Sequence, residues 1–247
     1  MDRRLLDWAR AVKARRKGRV PALWLFTDSR RLPDPRAAIA RLPRGAAGVV
    51  LRHDADPGRP SLGRALARLS RARRLALVVA GDARLAASLG AGVHLRNGRW
   101  PGPARPKRRG HAVLTSSAHD APSLRRAARA GVDLVFLSPA FPTETHPGAP
   151  SLGPLRWARL ARGHAVPVAA LGGVNGRTAR RLPRIGAGAG AIGALAPPPG
   201  ASGHPLPGAS RDLPPLSKRV PPPLAGATVW FVKWRLRIWF WHRGPWH

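Results

Sequence analysis

Short apolar runs alternate with amphipathic segments along most of this chain, and this alternation limits the folds open to it. The apolar runs, which suit buried strands, are residues 23–27, 48–52, 75–80, 92–95, 111–115, 133–137, 166–171 and 189–194. Helical patterns lie between most of them, at residues 35–42, 61–72, 83–89, 121–130, 155–162 and 176–182. Repeated strand–helix units form parallel sheets covered on both faces. Eight of them favour a closed (β/α)8 TIM barrel over an open sheet.

The ends of the chain depart from this repeat. Residues 1–19 contain an amphipathic helix that precedes the barrel, which is expected at residues 20–196. The connection at residues 96–109 has the composition of a loop, and Pro197–Pro199 prevent a regular eighth helix directly after the last strand. Residues 197–247 are predicted to be a poorly ordered Pro-rich linker with an aromatic-basic tail, dispensable for the stability of the barrel.

Composition bounds the location and partners of the protein. The chain has 247 residues, no cysteine and a formal net charge of +33. The missing cysteines exclude disulfides, and together with the lack of a signal-peptide pattern they favour a cytoplasmic protein. The high charge raises nucleic acid as a partner. Because the arginines are spread over the polar sides of most predicted helices, no dedicated nucleic-acid partner is expected. The tryptophans and cations of the tail predict peripheral contact with acidic membranes.

In a barrel of this kind the functional residues lie on loops after the carboxyl ends of the strands. Gly172 and Gly173 follow the seventh strand, and Gly193 ends the eighth. Glycine-rich turns let backbone N–H groups approach an anion, and these two turns end adjacent strands. The sequence therefore predicts a phosphate site at these three glycines.

The loop after the sixth strand is rich in proline, which restricts its backbone. It presents Thr143, Thr145 and His146 from a stiff frame, so these side chains are candidates for substrate binding. The loop reads S-P-A-F-P-T-E-T-H-P-G-A-P-S-L-G over residues 138–153.

This loop closely resembles the signature G-P-x-F-x-T-x-T-K-x-G-x-x-x-G of the thiamine phosphate synthase and thiazole tautomerase family. The segments Leu23–Asp28 and Gly92–Leu95 are similar to the first and fourth strands of that family. The resemblance implies an enzyme of thiamine biosynthesis that joins hydroxymethylpyrimidine diphosphate to thiazole phosphate with Mg²⁺ and releases diphosphate. Its implied partners are small phosphate and diphosphate substrates.

The resemblance also implies roles for single residues. Arg52 and Ser117 would contact the diphosphate, and Asp82 would ligate Mg²⁺. Thr143 and Thr145 would lie near the thiazole phosphate. In the tautomerase branch a histidine moves the proton, and His119 stands at that position. An imidazole with a pKa near neutrality suits proton transfer between carbon and nitrogen.

The chain departs from the family pattern around the diphosphate. The family's Gln-x-Arg-x-Lys is Val50–Asp54 here, so Asp54 replaces a cation, and the second metal-binding Asp is absent from residues 96–99. The Lys of the signature loop is His146. Arg96 is a candidate substitute cation. If the missing charges limit turnover, Asp54→Lys combined with Gly98→Asp is predicted to raise Mg²⁺-dependent synthase activity.

Two alternatives to the synthase stay open at this point. One is a thiazole tautomerase that uses His119. The other is a non-catalytic protein that binds a phosphate ligand or nucleic acid. The sequence leaves the oligomeric state open.

Overall fold

The protein is described by a computed structural model that covers residues 1–16, 18, 20–102, 112–144, 148, 150–183 and 185–196. In this part of the chain eight parallel strands close into a barrel in sequential order, and Leu23 of the first strand pairs with Ala189 of the last. The strands are β1 Leu23–Phe26, β2 Ala47–Leu51, β3 Ala76–Ala80, β4 Gly92–Leu95, β5 Leu114–Ala118, β6 Leu134–Leu137, β7 Val168–Ala170 and β8 Ala189–Ala191. The predicted TIM barrel is confirmed.

Helices cover the outside of the barrel. They are α1 Arg3–Ala14, α2 Arg36–Ala40, α3 Arg59–Ala72, α4 Ala83–Leu89, α5 Ala121–Arg129 and α6 Gly153–Ala161. Short 3-10 turns stand at Ala179–Arg181 and at Gly193–Leu195. The eighth strand, predicted at residues 189–194, ends at Ala191, and the second turn begins within the predicted strand at Gly193.

Strand residues alternate between two cores because successive side chains of a strand point to opposite faces. Leu23 and Leu25 pack outward into the layer between strands and helices, whereas Trp24 and Phe26 fill the barrel interior. The Phe26 and Phe136 rings meet edge to face, with centroids 4.9 Å apart. These two rings form part of the floor beneath the carboxyl ends of the strands.

Helix α1 is fastened to the carboxyl end of the barrel by its capping residue. The Asp2 carboxylate accepts hydrogen bonds from the Leu5 amide at 3.2 Å and from the Gly176 amide at 2.6 Å. The Asp2 amide donates to the Ala194 carbonyl at 2.8 Å. The start of the helix therefore lies beside the loops that follow β7 and β8.

Two predicted elements differ in the structure. The fifth strand lies at Leu114–Ala118 rather than at residues 111–115, so Ser116 and Ser117 belong to the strand. The helix predicted at residues 176–182 is only the 3-10 turn at Ala179–Arg181. Asn175 Oδ1 caps the start of the segment by accepting from the amides of Arg177 and Thr178, and the segment ends at Leu182, which is extended before Pro183.

The predicted linker and tail at residues 197–247 lie outside the described residues, as do residues 103–111 of the fourth connection. None of the helices in the described part of the chain is long and apolar enough to cross a bilayer.

Candidate functional site

An open cavity of about 1190 Å³ lies at the carboxyl ends of the strands. Seven of the ten predicted site residues line it: Arg52, Ser117, His119, Thr143, Gly172, Gly173 and Gly193. Thr145 and His146 lie outside the described residues. Asp82 lies away from the cavity lining and caps helix α4. The strand ends thus bring together most of the residues that the sequence singled out.

Gly172, Gly173 and Gly193 form one side of the cavity, which we call the glycine corner. Gly173 has a φ of +63°, and a Cβ there would lie 2.2 Å from the Pro142 carbonyl oxygen. The Thr178 hydroxyl donates to the Gly173 carbonyl at 2.8 Å. Only glycine fits this conformation and close approach, so the turn is fixed by its backbone.

Arg31 is a cation beside the glycine corner that the sequence analysis missed. Its Nη2 lies 3.2 Å from the place that a Cβ on Gly193 would take, and it donates to Glu144 Oε2 at 2.7 Å. Asp28 orders this loop by accepting from the amides of Arg30 and Arg31. Burial raises the pKa of Asp28, but these two hydrogen bonds help to lower it on balance. Arg31 could have been recognised as a site candidate, because the segment Thr27–Arg31 directly follows the first strand.

Arg52, Asp54 and Arg96 line the opposite side of the cavity, and Arg59 pairs with Asp54 outside the lining; we call these four residues the arginine corner. Asp54 makes ion pairs with Arg96 at 2.7 Å and with Arg59 at 3.2 Å. The Arg59 side chain is only 11% exposed, while that of Arg96 is 61% exposed. Arg52 has no carboxylate within ion-pair distance among the described residues. The corner therefore combines a fixed cation with two that face the cavity.

His94 lies in the cavity floor and is 4% exposed. Its Nδ1 is 2.8 Å from the Thr115 hydroxyl, and its ring packs edge to face on Phe26. Burial, with smaller contributions from the charges of Arg52 and Arg96, lowers the pKa of His94 from 6.5 to about 3. His94 is therefore neutral at physiological pH.

His119 follows β5 and is exposed at the cavity wall. Its Nδ1 lies 2.9 Å from the Ser138 carbonyl oxygen and 3.2 Å from the Ser138 hydroxyl; the shorter contact is to an atom that only accepts, which favours the tautomer with a proton on Nδ1. Its amide donates to the Ser123 hydroxyl at 3.0 Å, within the capping box of helix α5. In the neutral ring Nε2 then carries the lone pair, as a general base requires.

Ser117 and Thr143 both reach the cavity, with different surroundings. The Ser117 hydroxyl accepts from the Asn97 amide at 3.3 Å, which ties β5 to the loop after β4. Thr143 is half-buried and directly follows Pro142, whose carbonyl oxygen lies against Gly173. Their contacts with substrate stay predictions.

The donor atoms do not form a preorganised Mg²⁺ site. Mg²⁺ commonly binds one or two carboxylates together with substrate phosphates. The carboxylates that line the cavity are Asp2, Asp54 and Glu144, and each already accepts from N–H groups. Asp82 Oδ1 accepts from the Leu85 amide at 2.8 Å as the cap of α4. No group of three or more His, Asp or Glu side chains converges in the described residues. Mg²⁺ binding stays a prediction.

Gly98 does not tolerate the substitution that the sequence analysis combined with Asp54→Lys. Its φ is +75°, and a Cβ there would lie 2.5 Å from the Ala127 amide nitrogen. Asp54→Lys would also place a fourth cation between Arg59 and Arg96. We therefore expect the double variant to disrupt this side of the barrel rather than to restore a metal site.

Comparison with known proteins gives consistent results. The family model described as thiamine monophosphate synthase matches residues 24–194. A thiamine-phosphate synthase of Geobacillus kaustophilus is 35% identical over 146 residues, which cover 56% of this chain and 65% of that protein. A thiamine-phosphate synthase of Methylococcus capsulatus is 36% identical over 167 residues, 64% of this chain and 72% of that protein.

A solved structure shows the same fold. A thiamine phosphate pyrophosphorylase from Pyrococcus furiosus superposes with a TM-score of 0.56 at 22% sequence identity. The superposition covers 69% of this chain and 84% of that one. The chain spans 65% of the length of the Geobacillus relative, slightly less than two thirds.

Proposed function

We propose a function from one established premise: this chain belongs to the thiamine monophosphate synthase family. The proposed activity is that of a thiamine-phosphate synthase. It joins hydroxymethylpyrimidine diphosphate to thiazole phosphate and releases diphosphate. The family assignment supports a role in thiamine biosynthesis, and the cavity supports the two-substrate reaction.

The observation that carries this proposal is the layout of the cavity. The arginine corner follows β2 and β4, and the glycine corner follows β7 and β8, on the other side of the closed barrel. Two anionic groups can therefore enter one cavity without sharing a subsite. This suits two phosphorylated substrates whose reacting atoms must meet between their charged ends.

The arginine corner fits the leaving group. As the carbon–oxygen bond to the diphosphate breaks, both bonding electrons leave with the diphosphate and its negative charge increases. Arg52 and Arg96 line the cavity and supply guanidinium groups that stabilise this charge. Phe26 and the neutral His94 lie in the floor, where they offer a largely apolar surface to a heterocyclic ring.

The glycine corner fits the phosphate of the second substrate. The turn at Gly172 and Gly173 is fixed by its backbone, and Arg31 stands beside Gly193. Fixed amides and a nearby cation hold a phosphate without rearrangement, so the thiazole ring is oriented before bond formation.

The test is a direct assay of the purified full-length chain with both substrates, which measures thiamine phosphate and released diphosphate. Equal amounts of both products are expected, and Arg52→Ala should lower kcat by at least about tenfold. The exposed Arg99 offers a matched control, because Arg99→Ala removes the same charge outside the cavity lining. If wild-type protein forms no product at saturating substrates, the proposal is wrong.

A second candidate function rests on His119. Its Nδ1 proton is directed to the Ser138 carbonyl, so Nε2 is available to move a proton on a thiazole ring. His119→Gln should lower any thiazole tautomerisation by about a hundredfold and leave ligand affinity nearly unchanged. His164→Gln serves as the control outside the cavity lining. Equal activity in His119→Gln and wild type would reduce His119 to a structural role.

A further inference from the structure

The arginine corner places two cations, Arg52 and Arg96, in the lining of the cavity. The Arg96 guanidinium lies over Gly81, where a Cβ would be 3.1 Å from Arg96 Nε. From there Arg96 Nη2 reaches Asp54 at 2.7 Å. The absence of a side chain on Gly81 therefore gives Arg96 room at the end of β3.

Arg59 holds the Asp54 carboxylate of the arginine corner in place. Its guanidinium donates to the Ala80 carbonyl and, at 3.2 Å, approaches the Asp54 carboxylate. The Arg59 side chain is 11% exposed, so its contacts with the barrel restrict its position. Because Arg59 continues to pair with Asp54, the more exposed Arg96 can leave that carboxylate and bind an incoming anion.

The corner keeps an excess of positive charge. Arg52, Arg59 and Arg96 contribute three cations, and Asp54 is the carboxylate paired with two of them. The charges of Arg52 and Arg96 also contribute to the depressed pKa of His94 in the cavity floor. Both cations therefore act on the same volume of the cavity.

We propose that the arginine corner is a metal-independent diphosphate subsite, in which Arg52 and Arg96 bind the anion and Asp54 and Arg59 position Arg96. This inference rests on the proposed function, because that function supplies a diphosphate substrate. The fork of each guanidinium group matches adjacent phosphate oxygens and forms charge-assisted hydrogen bonds. Side chains of this corner would thus supply the positive charge that a Mg²⁺ ion would otherwise supply.

The experiment is calorimetric titration of the full-length protein with inorganic diphosphate, once in EDTA and once in excess Mg²⁺, at about 0.15 M salt. Binding is expected in EDTA, and added Mg²⁺ should not tighten it. Arg96→Ala should weaken binding in EDTA by about tenfold or more. Arg96 is 61% exposed, so this variant is expected to fold.

Arg99→Ala controls for the high net charge of the protein. Arg99 lies on the same loop, pairs with Arg96 only through backbone, is exposed and does not line the cavity. It should leave diphosphate affinity within about twofold. The proposal is overturned if binding appears only with Mg²⁺, or if Arg99→Ala weakens binding as much as Arg96→Ala does.

Two outcomes distinguish the diphosphate subsite from the synthase activity. Metal-free diphosphate binding that depends on Arg96, without synthase turnover, would support the subsite and refute the synthase. Synthase turnover with diphosphate binding that strictly requires Mg²⁺ would support the synthase and refute the subsite.

Discussion

The two corners of the cavity are built in different ways. The glycine corner is a matter of backbone: Gly173 fits against the Pro142 carbonyl oxygen because it has no side chain. The arginine corner is a matter of side chains, in which Asp54 holds Arg59 and Arg96 by ion pairs. A backbone site is rigid and intolerant of substitution, whereas a site of exposed ion pairs adapts to its ligand and is more easily altered.

The largest expected effect concerns Gly173 and tests the rigidity of the glycine corner. In Gly173→Ala the new Cβ would meet the Pro142 carbonyl oxygen at 2.2 Å, in a backbone conformation with φ of +63°. We expect the free energy of unfolding to fall by about 3 kcal/mol or more, from overpacking and left-handed strain together. Urea denaturation would measure the loss.

The matched change in the other corner is Arg96→Ala. It removes an exposed partner of Asp54, so the free energy of unfolding should change by less than about 1 kcal/mol. If Gly173→Ala and Arg96→Ala cost the same stability, the distinction between a backbone corner and a side-chain corner does not hold.

The glycine corner was easier to predict from the sequence than the arginine corner. The first depends on local backbone requirements, whereas the second depends on contacts between residues that are distant along the chain. Glycine marks a backbone requirement locally, so Gly172, Gly173 and Gly193 could be singled out by their places after two strands. The pairing of Asp54 with Arg59 and Arg96 depends on the parallel pairing of β2, β3 and β4, which brings their carboxyl ends together. Among so many arginines, no local pattern separates Arg59 from surface charges.

The fold was more predictable than the site because most buried strands can be recognised from their own apolar runs. The errors occurred where polar residues or a proline decide the structure. Ser116 and Ser117 were not expected inside a strand, yet their hydroxyls accept hydrogen bonds from the Gly98 and Asn97 amides of the loop after β4. The helix predicted after β7 is cut short at Leu182, which is extended because it precedes Pro183.

The second prediction concerns His94 in the barrel floor, whose pKa is lowered mainly by burial and less by the charges of Arg52 and Arg96. The pKa of His94 falls from 6.5 to about 3 on folding, so the unfolded chain binds more protons between these values. Its stabilising contribution is complete above pH 6.5 and is lost as the pH falls toward 3. Between pH 6.5 and 4.5 we expect the free energy of unfolding to drop by about 2 kcal/mol from this residue.

His94→Gln isolates that contribution, because the amide can keep a hydrogen bond to Thr115 without titrating. Urea denaturation of wild type and variant at several pH values gives the two slopes. The carboxyl groups with lowered pKa, including Asp28 and Asp120, lose their contributions at lower pH and should affect both proteins equally. Identical slopes would show that His94 is protonated in the folded state.

The third prediction probes anion binding at the glycine corner. In Gly193→Asp the new carboxylate would stand next to Arg31 Nη2, since the Cβ position is 3.2 Å from that atom. It would pair with Arg31 and repel phosphate, so the affinity for inorganic phosphate should fall at least about tenfold by calorimetry. Gly193→Ala is the control, because only the flexible end of Arg31 must move. Unchanged affinity in Gly193→Asp would remove Gly193 from the phosphate site.

The smallest expected effect concerns Glu144, which separates the adaptable part of the glycine corner from its rigid backbone. Glu144 is 85% exposed and pairs with Arg31 at 2.7 Å, so its ion pair is worth little in water. Glu144→Gln removes the negative charge that competes with phosphate for Arg31. Phosphate affinity should rise by no more than about fivefold, and diphosphate binding at the arginine corner should not change. A parallel gain for both ligands would mean that Glu144 acts on the cavity as a whole, and the two corners would then be one electrostatic site.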